Sequence, residues 1–318
     1  MRRSNIGAIC TFLCFATAGL VHAQQNLHVL PVQGDVYMIV GPNANATVQV
    51  GDQGVLLVDT MPASLTDELL AMIAKLSDKP IRYIVNTSFL PQFTGGNEKA
   101  RKAGVTITGA NVTRDIGDAA QGAALIAHES VLDTMSASSG ESKNSLRPGG
   151  AWPTDAFVGL RKAIYFNGEP VEVLHIPDST TDGSSMVWFR RADVISTGDI
   201  FVTDTWPFID LAHGGNINGV LDGLNRILEI TVPQHEEEGG TLVIPGRGRL
   251  CDEADVVTYR DMITIIRNRV RNMIAKGMTV EQVKQAKPTF DFDLEYGRTT
   301  GPWTTDMFVE AVYKSLKK

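Results

Sequence analysis

The sequence has little with which to bind a metal or to cross-link itself. Of 318 residues, three are cysteine and six are histidine. Cys10 and Cys14 fall in an N-terminal stretch that reads as an export signal: Arg2 and Arg3, an apolar run from Ile6 to Val21, then Val21-His22-Ala23 before Gln24. Cleavage is expected after Ala23, so residues 1–23 leave and Cys251 stands alone. One cysteine excludes an internal disulfide, and stability has to come from a core. The apolar run is too short for an anchor and no stop-transfer charges follow it. The expectation is an exported chain, periplasmic or extracellular, with no membrane span in its mature part. An excess of positive charge is missing too. The signal removes two of 29 basic residues and none of 36 acids, so 27 face 36 and the net charge becomes −9. Such a surface disfavours nucleic acid and anionic membranes.

Apolar content is ample, at 43% of the sequence, enough for a large core. Val36–Val40, Ala46–Val50 and Gly54–Asp59 are short β-branched runs separated by turn residues. They predict an antiparallel meander with a hairpin turn at Gly51-Asp52-Gln53-Gly54. Leu65, Leu69, Met72, Ile73 and Leu76 then recur at helical spacing, predicting a helix over 65–77 capped by Ser64. Ile81–Val85 is a strand, Gly96–Ala103 a short helix and Val105–Thr108 a strand. Residues 137–152 are rich in breakers and read as a loop. Ala163–Phe166, Val171–Ile176, Ser185–Phe189 and Val194–Ser196 repeat the meander, and Val220–Ile230 repeats the helix. Thr241–Ile244 precedes the longest helix, whose stripe is Val256, Tyr259, Ile263, Ile266, Val270 and Met273 and which Gly277 ends. Thr279–Ala286 and Thr304–Leu316 are terminal helices. Two similar αβ halves packed as one domain over 24–318 account for this order.

The segment from Val85 to Asn97, Val-Asn-Thr-Ser-Phe-Leu-Pro-Gln-Phe-Thr-Gly-Gly-Asn, follows a strand and opens a helix. It resembles the signature of the metallo-β-lactamase fold hydrolases, whose centre is H-x-H-x-D-H. Four more segments resemble that family in its own order. Leu56–Thr60 is similar to its strand ending in an aspartate, here Asp59. His175–Gly183 is similar to its second ligand loop, with Thr180 where the ligand histidine falls. Thr197–Phe201 is similar to the loop whose aspartate bridges two metals, here Asp199. Ile244–Gly248 is similar to a segment with a histidine between glycines, here Arg247. The resemblance implies an α/β fold, a four-layer αββα sandwich.

It also implies seven metal-ligand positions: Ser88, Leu90, Gln92, Phe93, Thr180, Asp199 and Arg247. Zinc takes lone pairs from Cys, His, Asp or Glu. Leu90 and Phe93 have none, Ser88, Gln92 and Thr180 offer weak neutral oxygens, and Arg247 is permanently cationic. Only Asp199 remains a good ligand. The other histidines, His28, His128, His175, His213 and His235, form no H-x-H or helical i, i+4 pair. They read as structural or surface residues, while Asp59, His175, Asp182 and His213 are placed behind or around the pocket by the resemblance. Two carboxylates without a metal need a positive partner, and the expectation is that Arg247 pairs with Asp199. Phe89, Leu90 and Phe93 are expected to fill the former metal cavity rather than line a pocket.

The function that follows is an exported, non-catalytic relative of the family that binds a small molecule or a protein and needs no cofactor. The alternative is a hydrolase of the ester, lactone or β-lactam type, with zinc in a rebuilt site or with a metal-free one. For the latter Ser88 is the candidate nucleophile, but no imidazole is near it in sequence to act as its base.

Overall fold

A computed structural model describes residues 27–106, 122–137, 148–232 and 240–317. The expected signal at 1–23, most of the 137–152 loop, residues 107–108 and His235 lie outside them. The strands are β1 (His28–Gln33), β2 (Val36–Val40), β3 (Asn45–Gly51), β4 (Gly54–Val58), β5 (Ile81–Val85), β6 (Ala124–His128), β7 (Asp155–Phe157), β8 (Arg161–Phe166), β9 (Glu169–His175), β10 (Ser185–Phe189), β11 (Val194–Ser196) and β12 (Leu242–Ile244). The helices are α1 (Thr66–Leu76), α2 (Pro91–Thr94), α3 (Asn97–Ala103), α4 (Glu129–Ser136), α5 (Ile217–Thr231), α6 (Glu253–Ala275), α7 (Val280–Gln285), α8 (Asp293–Tyr296) and α9 (Thr305–Leu316).

Strands β1 to β7 form one sheet in chain order, and the second runs β12-β11-β10-β9-β8. The first is antiparallel through β4 and parallel from β4 to β7. In the second only β11 and β12 are parallel. Residue alternation decides what each face meets. On the inner faces Met38, Leu56, Val58, Val85 and Ile126 of the first sheet pack on Phe166, Val173, Val187, Phe189 and Ile244 of the second. On the outer face of the first sheet, Leu69, Met72 and Ile73 of α1 and Ala100 of α3 cover Val48, Leu57 and Ile84. On the outer face of the second, α5, α6 and α9 cover Met186, Ile195 and Val243. The layers are therefore helix, sheet, sheet, helix. Truncating one of these fully buried aliphatics to alanine costs about 2–5 kcal/mol.

One local expectation is corrected and another lies partly outside the described residues. Helix α1 starts at Thr66 after a 3-10 turn over Ala63–Leu65, and its N-cap position falls on Leu65, which has no capping group. Asp67 and Glu68 in the first turn complement the helix dipole where Ser64 was expected to cap. Of the expected strand Val105–Thr108 only Val105 and Thr106 are described, Val105 donating its N–H to Ile81 O at 2.9 Å, and the next strand among the described residues is Ala124–His128. Strand β6 is parallel to both neighbours and has no exposed position. Such a strand does not alternate in polarity. Helix α6 begins in a capping box, with Asp252 accepting from Asp255 N and Asp255 from Asp252 N. Among the described residues no helix is long and apolar enough to cross a membrane.

Candidate functional site

The site lies beyond the C-terminal ends of the parallel strands β4, β5, β11 and β12, where open α/β sheets gather their ligand loops. Asp59 ends β4 in the left-handed region, at φ 61°, held by its N–H to Val85 O at 2.8 Å. An aspartate tolerates that conformation better than most residues, and such strain collects at functional sites. Its carboxylate accepts from Thr87 N at 2.9 Å and from Thr87 Oγ1 at 2.6 Å. The next turn is fixed by a reciprocal amide pair. Asn97 Nδ2 donates to Asn86 Oδ1 at 2.7 Å, Asn86 Nδ2 to Asn97 Oδ1 at 3.1 Å, and Thr60 Oγ1 to the same Asn97 oxygen at 2.8 Å.

The loop after β11 passes directly over this turn. Gly198 has φ 53°, and a Cβ there would stand 2.3 Å from Thr87 Oγ1. The loop after β12 packs just as closely, a Cβ on Gly246 standing 2.3 Å from Gly198 O. Asn45 holds that second loop by donating from Nδ2 to Pro245 O at 2.9 Å and to Gly248 O at 3.1 Å. These contacts aim Asp199 and Arg247 at one space.

Asp199 is 4% exposed, and neither of its carboxylate oxygens has a hydrogen-bond partner among the described residues. The Thr180 hydroxyl stands near without completing a bond, its own contact being Ser184 Oγ at 2.7 Å. Burial pushes the Asp199 carboxyl up to about 7, against the influence of Thr180. Burial likewise pushes Asp59 up to about 8, opposed by the bonds from Thr87 and reinforced by the neighbouring Asp199 carboxylate. The expected pair of Arg247 with Asp199 is not formed. Arg247 Nε donates to Asp204 Oδ1 at 2.7 Å. With side chains 28% and 46% exposed, this pair keeps both charges partly hydrated, whereas pairing at the floor would bury the guanidinium.

The cavity in front of Asp199 is open, about 290 Å³ in volume. Leu90, Gln92, Phe93, Asp199 and Arg247 line it together. Leu90 and Phe93 therefore wall the space, against the expectation that they fill it. They pack in a small cluster with Ala44, Phe89 and Phe208. Ser88 and Thr180 are fully buried and do not line the cavity. His175 and His213 border other clefts. His175 stacks on His128 with ring centroids 3.6 Å apart and borders a cleft of about 690 Å³ with Asp178 and Arg226. His213 bonds Asp210 through Nδ1 at 2.7 Å and shares a cleft of about 400 Å³ with the exposed Asp182. His28 is exposed on β1.

The rest of the wall is not marked by the family motifs: Asn43, Val202, Thr205, Trp206, Phe208, Pro302 and Trp303. Phe208 and Trp303 meet edge to face at 4.8 Å, and Trp206 stacks on Phe308 at 4.9 Å. The available signal was aromatic–proline neighbours, Trp206-Pro207-Phe208 and Pro302-Trp303, but Trp152-Pro153 carries the same signal away from this cavity.

A zinc ion at the seven implied positions meets one carboxylate, two hydrocarbon side chains, two buried hydroxyls, an amide and a guanidinium. That set does not fit zinc. Among the described residues, no group of three or more His, Cys, Asp or Glu is placed to hold a metal ion. Cys251 is buried, and burial pushes its thiol up to about 12, so it offers no thiolate.

No family model matches the chain, and no curated protein matches it in sequence. Solved structures do. The stereoselective inverting sec-alkylsulfatase Pisa1 from Pseudomonas sp. superposes with a TM-score of 0.66 at 16% identity, over 91% of this chain and 50% of its own. The metallo-β-lactamase from Pontibacter korlensis gives 0.55 at 15% identity, over 75% of this chain and 99% of its own. The DIM-1 metallo-β-lactamase gives 0.55 at 15%, over 75% and 97%. The chain thus spans about half the length of the alkylsulfatase and nearly the whole of the lactamases. With two facing sheets, helices on both outer faces and its loops gathered at the strand ends, the chain has the metallo-β-lactamase fold.

Proposed function

We propose that this chain is an exported small-molecule-binding protein that has no zinc-dependent hydrolase activity. The observation that carries this reading is the cavity of about 290 Å³ before the unpartnered Asp199, walled by Leu90 and Phe93 at positions where the fold's relatives would place metal ligands. Concave, largely apolar spaces with a few convergent polar groups are the usual form of ligand sites. The ester-cleaving and lactam-cleaving chemistry named for the fold's relatives needs an activated nucleophile. Ser88 has no imidazole to supply one: its hydroxyl is buried and accepts only a long contact of 3.5 Å from Leu90 N. Export rests on the N-terminal residues 1–23 and their charge and hydropathy pattern.

The test is elemental analysis of the purified protein, together with turnover assays on sec-alkyl sulfates, esters, lactones and β-lactams. The expected result is less than stoichiometric metal, an unfolding temperature unmoved by chelator and no turnover. Stoichiometric zinc or iron whose removal lowers stability or abolishes turnover would overturn the reading.

A further inference from the structure

Resting on the binding reading above, we infer that the cavity takes a small organic ammonium ion, its charged head against Asp199 and its apolar body between Phe93, Phe208 and Trp303.

Three features of the cavity carry this. The first is Asp199 itself, the one acidic residue among the described residues that line it. Both carboxylate oxygens are buried and unpartnered. A buried polar atom without a partner costs about 1–3 kcal/mol, so a ligand that satisfies both oxygens recovers what the fold leaves open. A primary ammonium carries three N–H donors and a positive charge, while an alcohol offers one neutral donor.

The second is the wall. Aromatic faces attract cations through their quadrupole, more strongly when water is excluded. Phe208 and Trp303 form an edge-to-face pair on the side formed by the 202–208 and 302–303 segments. The volume, at the low end for ligand sites, suits one ring with a short chain.

The third is the placement of the other charges. The groups facing Asp199 are Asp59 behind it and Arg247 at the rim. Asp59 spends its oxygens on Thr87 and does not compete for the ligand. Arg247 already holds Asp204 at 2.7 Å. A carboxylate ligand would have to displace Asp204 and lie beside Asp199 at once, and like charges at that distance repel. The cavity is therefore built for a cation at its floor, with Arg247, the one arginine among the described residues that line it, answered by Asp204.

The experiment titrates the purified protein with 2-phenylethylammonium, with its neutral isostere 2-phenylethanol and with phenylacetate. Binding is followed by tryptophan fluorescence and by calorimetry at fixed ionic strength. The expected result is that the ammonium binds about tenfold or more tightly than either of the others, as a charge-assisted hydrogen bond implies. In Asp199→Asn that preference falls to near unity through loss of ammonium affinity, with circular dichroism confirming the fold. Equal binding of ammonium and alcohol in the wild type, or a preference for phenylacetate, overturns the ammonium assignment and leaves the binding reading intact. No saturable binding of any probe in the millimolar range overturns both.

Discussion

Arg247 turns away from Asp199 and holds Asp204 at the cavity rim, Nε to Oδ1 at 2.7 Å. A pair this exposed contributes little. Arg247→Ala is expected to change unfolding free energy by less than about 1 kcal/mol in urea titrations. Had the guanidinium neutralised the buried carboxylate, the same change would cost about 3–5 kcal/mol, so a loss of that size would refute the rim pairing.

Asp199 is a buried acid that the fold does not satisfy. Asp199→Leu is expected to stabilise the protein by about 1–3 kcal/mol, more at pH 8 than at pH 5. The sign follows from the raised carboxyl, about 7 folded against an ordinary 3.8. The folded state keeps a proton that the unfolded chain has lost, so stability is full below pH 4 and falls as pH rises toward 7. Asp59, raised to about 8, extends the same fall by one further pH step. Paired denaturation curves at the two pH values measure this, and a destabilised Leu variant would count against it.

The stacked histidines act in the opposite direction. Burial, with His128 alongside, lowers His175 to about 4, and burial lowers His128 as well. The unfolded chain takes up these protons near pH 6.5 and the folded one does not, so their contribution is full above pH 6.5 and is lost as pH falls toward 4. His175→Asn should flatten the acid side of a plot of unfolding temperature against pH, relative to wild type. An unchanged acid slope would show that the pair does not govern it.

Gly198 has no room for a side chain. With φ 53° and Thr87 Oγ1 2.3 Å from a modest Cβ, Gly198→Ala is expected to destabilise by about 1–3 kcal/mol from the backbone alone. It should also displace Thr87 from Asp59. Thermal unfolding of the variant checks this, and a wild-type midpoint would contradict the close approach.

Much of this was legible in the residues. Strands β2 to β4 were legible as short β-branched runs bounded by turn residues, and α6 carries one apolar stripe because only one side is covered. The segments around Asp59, Asn86–Asn97, Asp199 and Arg247 stand in an order that the fold preserves, so the sequence alone groups positions 90, 92, 93, 199 and 247, which line one cavity. Strand β6 was missed because Ala124–His128 carries a single β-branched residue, Ile126, and runs on from an alanine-rich stretch with no strand composition of its own. The partner of Arg247 was hidden for another reason. Asp204 is 43 residues away, and the choice between it and Asp199 is made by hydration, which no motif encodes. The cavity was misjudged because its far wall comes from Trp206, Phe208 and Trp303, on segments outside every motif.

The reciprocal amides of Asn86 and Asn97 hold the loop under the cavity with side chains of the chain itself. The recess is then complete before anything enters it. Association should be a single second-order step whose observed rate climbs linearly with ligand concentration, with no slow phase of rearrangement.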